Sequence, residues 1–281
     1  MTKTKKQRMK PLVFIRKYGR IIIGGTIIAA VLFCSIFAPF LTNWDPEAVE
    51  VMDAKQPPSA EHILGTDLYG RDLWSRILFG SRTTLIVSIS AQALLIVAGT
   101  VLGLLCGYYT KVEKVLMRFL EAFSTVPNLL LTMLMISVFG SGVIQMILAM
   151  SIYGIPGHAR MIRNQVLSLR EKEYIESEKA MGASDLRTLF LHILPACTSY
   201  LLVRFSSGLA GMILSMTALS YLGVGLDPTI ANWGGMVNEG QRVMFAFPHL
   251  CLYPGLAICI TVFGFAMLGD GLRDLLDPKL K

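Results

Sequence analysis

The sequence predicts an all-α integral membrane protein. Hydrophobic residues make up 53% of the 281 residues and charged residues only 16%, with a mean hydropathy of +0.57, whereas a soluble domain is about a quarter charged. Several apolar stretches reach the roughly 20 residues that a helix needs to cross about 30 Å of hydrocarbon. Because lipid cannot satisfy backbone polar groups, and the sequence lacks the alternation of a membrane β-barrel, each crossing is predicted to be helical.

Six spanning helices are predicted in chain order. They cover residues 21–41, 84–108, 119–139, 143–157 with its flank, 200–222 and 251–269. Around them the chain divides into a basic N-terminus (1–20), the first span (21–41), an outer segment (42–82), a five-helix region (83–270) with a long inner loop (158–199), and a C-terminal tail (271–281). Pro127 and Pro156 are expected to kink or end their helices, because proline removes a backbone donor and clashes with the preceding turn.

The basic residues predict the orientation. With a cytoplasmic N-terminus, 21 of the 26 Lys and Arg fall on the cytoplasmic side, as the positive-inside rule requires. The other five are predicted outside: Lys55, Arg71, Arg76, Arg82 and Arg242. Both chain ends are therefore predicted in the cytoplasm, and the net charge of +7 calls for no nucleic-acid partner. The first apolar run is too long for a usual signal peptide and lacks a clear cleavage site, so it is predicted to stay as a span.

Motifs for metal binding or catalysis are absent from the sequence. The five cysteines are scattered without metal-ligand or disulfide-framework spacing, so no metal site is expected: Cys34, Cys106, Cys197, Cys251 and Cys259. No GxxxxGK[ST], HExxH or assignable Ser/His/Asp set occurs, so the chain is predicted to be no enzyme and to hold no ATP itself. Glu121 and Arg204 are expected near the inner ends of their spans, and His62 in a solvated loop.

Two stripes of small residues are predicted to pack closely against neighbouring helices. Each recurs at intervals of four residues, which places its members on one helical face. The neighbour is either another helix of this chain or a second subunit. The stripes are Gly99, Gly103 and Gly107, and Ser207, Gly211 and Ser215.

The inner loop contains a charged segment, "YIESEKAMGASDLRTLFLHILP" (174–195). Its apolar residues recur at helical spacing, Gly182 suits the end of one short helix, and Ser184 suits the N-cap of the next. We therefore predict two helices joined by a sharp turn and ended by Pro195. An exposed apolar edge on such an elbow is suited to docking on a soluble partner. The alternative is an elbow lying on lipid, although balanced charges make anionic lipid a poor partner.

Glu176, Gly182 and the pair Leu194-Pro195 resemble the "EAA…G…LP" loop of permease subunits of ABC importers. This sequence has "ESE" in place of "EAA", and His192 where isoleucine is common. Further blocks resemble the second permease of dipeptide, oligopeptide and nickel importers. They are "LGTDLYGRDLWSRILFGSRTTL" (64–85), "YLGVGLDPTIANWGGMVNEG" and "LYPGLAICITVFGFAMLGDGLRDLLDP" (within 221–278).

The resemblance implies a type I ABC importer permease domain over 83–270, in the bacterial cytoplasmic membrane and surrounded by membrane lipid. This chain would form half of a pathway for peptides, nickel or metal chelates, beside a second homologous permease. Two cytoplasmic ABC ATPases would bind ATP and magnesium, this chain would bind no cofactor, and an extracytoplasmic binding protein would deliver the substrate.

The resemblance also assigns the docking residues. Glu176, Ala180, Gly182, Ala183 and Leu186 would lie at the ATPase groove, with Leu194 and Pro195 completing the motif. The outer segments 42–82 and 223–250 would either receive the binding protein or only cap the bundle. An ion- or proton-coupled carrier is the alternative function, and a membrane-embedded enzyme is a third. Against the carrier, no carboxylate or histidine is evident in the middle of a predicted span.

Overall fold

The computed structural model describes the backbone of residues 11–276 and the side chains of residues 18–276. Residues 1–10 of the predicted basic terminus and 277–281 of the predicted tail lie outside this range. The described chain contains nine main helices and no β-strand. They are α1 (Pro11–Ile36), α2 (Leu73–Tyr108), α3 (Thr110–Ser124), α4 (Asn128–Phe139), α5 (Val143–Arg170), α6 (Glu173–Ala180), α7 (Asp185–Tyr221), α8 (Trp233–Gln241) and α9 (His249–Leu276). Short helical turns lie at Ala38–Leu41 and Val51–Asp53.

Four of these helices contain segments long and apolar enough to cross a membrane. The segments are Tyr18–Ile36, Leu73–Tyr108, Asp185–Tyr221 and His249–Leu276, and α3 with α4 would count as a fifth if the pair forms one broken span. The predicted all-α membrane fold is confirmed. The count of six spans and the cytoplasmic position of both ends stay predictions.

The predicted span 119–139 is interrupted at Pro127, as expected of this proline. Two helices replace it, α3 and α4, which meet at an angle of 94°. Pro127 lies between them and immediately precedes α4, where its missing N–H costs no helical hydrogen bond. Pro156, by contrast, lies inside α5, which continues to Arg170. Residues 158–170 of the predicted inner loop are therefore helical.

Helix α2 lies at the centre of the packing, against α5 on one side and α7 on another. Their shared core is apolar, and its buried members include Val87, Ala91, Met146, Met150 and Met216. Helix α1 packs on α9, where a Cβ at Gly24 would lie 2.6 Å from the Leu268 nitrogen. Large apolar side chains also point outward from the helices, as expected of a surface that faces lipid: Phe33, Val97, Leu134, Val138 and Phe263.

Residues 42–72 and 222–248, which we call the cap, cover the end of the bundle where α2 begins. Arg71 joins the two parts, because its guanidinium lies 2.6 Å from both the Asp67 and the Glu239 carboxylates. Arg76 lies 3.4 Å from Asp67 and 3.6 Å from Glu239. All four side chains are largely buried, so their charges are compensated mainly by one another.

The prediction of a solvated His62 is wrong. Its ring is buried in the cap, with Nδ1 3.0 Å from the Asp72 carboxylate and the Trp44 ring 4.6 Å away. Asp72 also accepts a hydrogen bond from the Ser75 backbone nitrogen and so caps the start of α2. The histidine therefore helps to position the beginning of a long helix.

Candidate coupling elbow and translocation groove

Residues 173–195 form an elbow at the end of the bundle opposite the cap. Helix α6 ends at Ala180, and Gly182 has a φ of +86°, the left-handed conformation that favours glycine. Backbone hydrogen bonds close the turn, from Gly182 N to Lys179 O (3.0 Å) and from Ala183 N to Glu178 O (3.1 Å). Ser184 occupies the N-cap position of the next helix without a side-chain capping bond. The predicted order of helix, sharp turn and helix is therefore present.

Pro195 does not end the second helix of the elbow, contrary to the prediction. Helix α7 runs without a break from Asp185 to Tyr221, through a π-helical turn at Thr188–Ile193. Ordinary α-helical geometry resumes at Leu194, so Pro195 immediately follows the π-helical turn inside α7. The elbow therefore continues directly into a candidate spanning helix.

Buried apolar side chains hold the elbow against the bundle. Ile175 of α6, with Leu189 and Ile193 of α7, is buried in a cluster with neighbours from α2 and α5: Leu104, Tyr108, Ile162 and Val166. Polar contacts converge on Tyr108, the last residue of α2. Its hydroxyl donates a 2.7 Å hydrogen bond to Asp185, and the Lys179 ammonium lies 4.7 Å from its ring centroid. Movement of the elbow would therefore act on the end of α2.

The opposite face of the elbow is exposed and apolar. Met181 is 79% exposed and Leu186 63% exposed, and Phe190 and Leu191 extend the same face along α7. The Glu178 and His192 side chains approach to 2.8 Å beside it, although not in hydrogen-bond geometry. The predicted docking residues divide by burial: Glu176, Ala180, Gly182, Leu186 and Pro195 are exposed, and Ala183 and Leu194 are partly buried.

The first small-residue stripe packs against α5 within this chain. A Cβ added at Gly99 would lie 2.8 Å from the His158 ring, and one at Gly103 would lie 2.6 Å from both the Ala159 oxygen and the Ile162 Cβ. At Gly107 it would meet the Val166 Cβ at 2.5 Å. The glycines thus allow α2 and α5 to approach more closely than side chains would permit.

The second stripe has different surroundings. Ser207 packs against Gly269 of α9, whereas nothing lies within 4 Å of a Cβ at Gly211. Ser207, Gly211 and Ser215 all line an open groove of about 290 Å³ between α2, α4, α5 and α7. The groove also contains polar residues that lie far apart in the sequence: Gln92, Asn128, Thr132, Tyr153 and Arg204. No sequence motif joins them, because they come from four different helices.

Helix α7 begins well before the predicted span 200–222, so Arg204 lies in the interior of this helix, and its position near the inner end of the span stays a prediction. The Gln92 side-chain amide donates a 3.2 Å hydrogen bond to the Arg204 carbonyl. Gln92 is near the midpoint of α2, so the Arg204 backbone lies level with the middle of that helix.

Among residues 18–276, no group of three His, Cys, Asp or Glu side chains is arranged to hold a metal ion.

Comparison with known proteins identifies the family of this chain. The family described as "Binding-protein-dependent transport system inner membrane component" matches residues 99–281. The chain belongs to this family. The family includes the membrane components of ABC importers, and the chain is accordingly an importer permease of the bacterial inner membrane that works with a substrate-binding protein and an ATPase.

Curated relatives match almost the whole chain. A glutathione transport system permease protein of Pectobacterium atrosepticum is 38% identical over 270 residues, which are 95% of this chain and 89% of that protein. A putative peptide transport system permease protein of Brucella suis is 37% identical over 259 residues, covering 92% and 88% of the two chains. A dipeptide transport system permease protein of Alkalihalophilus pseudofirmus is 36% identical over 268 residues, covering 95% and 88%. The predicted resemblance to ABC importer permeases is confirmed.

Proposed function

We propose that this chain forms half of the translocation pathway of a peptide importer and receives the ATP-driven movement through the elbow. The relatives named above are described as permeases of glutathione, dipeptide and putative peptide transport systems, which supports a small peptide as the substrate. Nickel, which the family resemblance also allows, is a second substrate to assay. A second, homologous permease would complete the pathway.

The observation that carries the coupling proposal is the two-sided elbow. One side is buried against α2 and α5, and the other presents Met181 and Leu186 to solvent. A docking element needs both features, because a partner must hold the exposed face while the buried face passes the movement on. In this proposal two ATPase subunits bind ATP and magnesium, and their closure moves the elbow together with α2 and α7.

The cap is the proposed contact for the substrate-binding protein. It lies at the end of the bundle opposite the elbow, and it also lines a cleft of about 290 Å³ whose walls include Tyr69, Asn238 and Arg242. The buried ion pairs between Arg71, Asp67 and Glu239 would keep this surface in one shape when the binding protein docks.

The test compares two glycines whose φ angles are alike, although Gly140 also has a ψ of 173°, an extended value outside the left-handed helical region. Gly182 and Gly140 both have a φ of +86°, and both have open space around a Cβ. Gly140 follows α4, far along the chain from the elbow. Aspartate at either site should strain the turn by about 1 kcal/mol or more. Only Gly182→Asp would also place a charge in the proposed docking surface.

The experiment measures co-purification of the ATPase and ATP-dependent uptake of a dipeptide, glutathione and nickel in cells that make all subunits. At equal membrane abundance, Gly182→Asp and Glu176→Lys should lose both co-purification of the ATPase and ATP-dependent uptake. Gly140→Asp should keep both. Normal ATPase retention and uptake in both elbow variants would contradict the coupling proposal. Uptake of nickel without peptides by the wild type would contradict the peptide substrate.

A further inference from the structure

The groove between α2, α4, α5 and α7 contains a positive charge in the middle of the helical bundle. Arg204 lines this groove and is solvent-accessible there. Its backbone lies beside Gln92, near the midpoint of α2. A charged side chain within membrane-spanning helices is costly, and it usually faces a water-filled cavity and pairs with an opposite charge.

Arg204 has no such partner within the described chain. Among the side chains of residues 18–276, no carboxylate lies within 4 Å of its guanidinium. Two arginines of the neighbouring helix α5 are placed differently, since Arg160 is paired with Glu121 and Arg163 with Glu113. The guanidinium in the groove is therefore open to an anion that this chain does not supply.

A second feature of the groove also favours a negative charge. Helix α4 begins at Asn128, which lines the same groove, and the first N–H groups of a helix carry partial positive charge. The remaining walls combine the polar side chains of Gln92, Tyr153 and Ser207 with apolar ones such as Met212. A volume of about 290 Å³ is at the lower end of the range for small-ligand sites.

We propose that this groove is a passage site for the substrate and that Arg204 binds a carboxylate of the peptide there. The inference rests on the proposed function and assigns it a substrate-recognising residue. A planar guanidinium can donate two parallel hydrogen bonds to a carboxylate, which lysine cannot reproduce. Gly211 leaves room beside it, since nothing lies within 4 Å of a Cβ there, and Gly208 allows the Gln92 amide to approach α7 closely.

The experiment uses the complete transporter in proteoliposomes with its binding protein. The substrates are a dipeptide and the same dipeptide with its C-terminal carboxylate replaced by an amide, both at concentrations that saturate the binding protein. Arg204→Gln and Arg204→Lys are compared with Arg118→Gln. Arg118 is exposed on α3 and does not line the groove, so its substitution removes the same charge elsewhere.

The expected result is a change in the ratio of uptake rates for acid and amide. Arg204→Gln should slow uptake of the acid by about tenfold or more, because the carboxylate loses a charged hydrogen-bond donor. The acid and the amide should then be taken up at nearly equal rates. Arg204→Lys should lie between Arg204→Gln and the wild type. Arg118→Gln should match the wild type.

Three outcomes would overturn the inference. An unchanged acid-to-amide ratio in Arg204→Gln, with normal subunit abundance, would show that the guanidinium does not read the carboxylate. Loss of the second permease from purified Arg204→Gln and Arg204→Lys complexes would show that Arg204 pairs with that subunit instead. Failure of the wild type to take up any peptide would overturn the proposed function and this inference with it, whereas the first two outcomes leave the proposed function intact.

Discussion

The hydroxyl of Tyr108 donates a 2.7 Å hydrogen bond to the carboxylate of Asp185. Tyr108 is the last residue of α2, and Asp185 is the first residue of α7. The bond therefore joins the elbow to the helix that forms one wall of the groove. It is a direct mechanical link between the proposed ATPase-docking surface and the proposed pathway.

Tyr108→Phe should reduce uptake several-fold while leaving the ATPase bound. Removing the hydroxyl deprives a carboxylate of its donor, which typically costs about 1–3 kcal/mol, but it does not alter the exposed face of the elbow. Asp185→Asn should have a similar effect, and the double variant should be no worse than either single one. Uptake and ATPase co-purification are the two measurements. Fully additive losses in the double variant would show that the bond is not the link.

Gly103→Ala should destabilise the protein through the contact between α2 and α5. The new methyl group would lie 2.6 Å from the Ile162 Cβ and from the Ala159 oxygen, and overpacking of this kind costs about 1–3 kcal/mol. Gly211→Ala is the control, because its methyl group would enter open space. The midpoint of thermal unfolding in detergent is the measurement. Equal midpoints for the two variants would contradict the close packing at Gly103.

Arg71→Met should strongly destabilise the cap. It would leave the buried Asp67 and Glu239 carboxylates without their closest positive charge, and breaking a buried pair in this way costs about 3–5 kcal/mol. Arg20→Met removes an exposed pair with Asp274 instead and should change the unfolding free energy by less than about 1 kcal/mol. Proteolysis of residues 42–72 in the purified protein reports on the cap. Equal protease resistance in both variants would argue against a cap held by these charges.

Thiol labelling of intact cells should establish the orientation. In a variant without native cysteines, an impermeant reagent should modify a cysteine at Asp53 or Asn238, both in the cap, and leave one at Ser184 in the elbow unmodified. The excess of basic residues on the elbow side supports this direction. Labelling at Ser184 alone would reverse the orientation and place the ATPase surface on the wrong side.

The sequence was most informative where local chemistry decides the structure. The left-handed turn at Gly182 could be predicted because glycine after a short helix and serine before the next are local signals. The membrane class followed from composition alone. The break before α4 was foreseen only in part, since Pro127 indicates an interruption but not the angle of 94° between the two helices.

Features that depend on distant residues could not be predicted in this way. His62 looked solvated because its partner Asp72 and its neighbour Trp44 approach it only after the cap has folded. Pro195 appeared to end a helix, because a π-helical turn before it has no clear sequence signal. The proposed role of Arg204 depends on the groove, whose polar residues come from four helices and could not be grouped from the sequence.

The most direct test of the central claim is crosslinking from the elbow. A photoreactive residue at Met181, which is 79% exposed, is compared with one at Phe245, which is 99% exposed in the cap. In membranes that contain the complete transporter, Met181 should crosslink to the ATPase with a yield that changes between ATP and ADP, and Phe245 should give no ATPase product. Equal ATPase crosslinking from both positions, or none from Met181 in an actively transporting complex, would contradict coupling through this elbow.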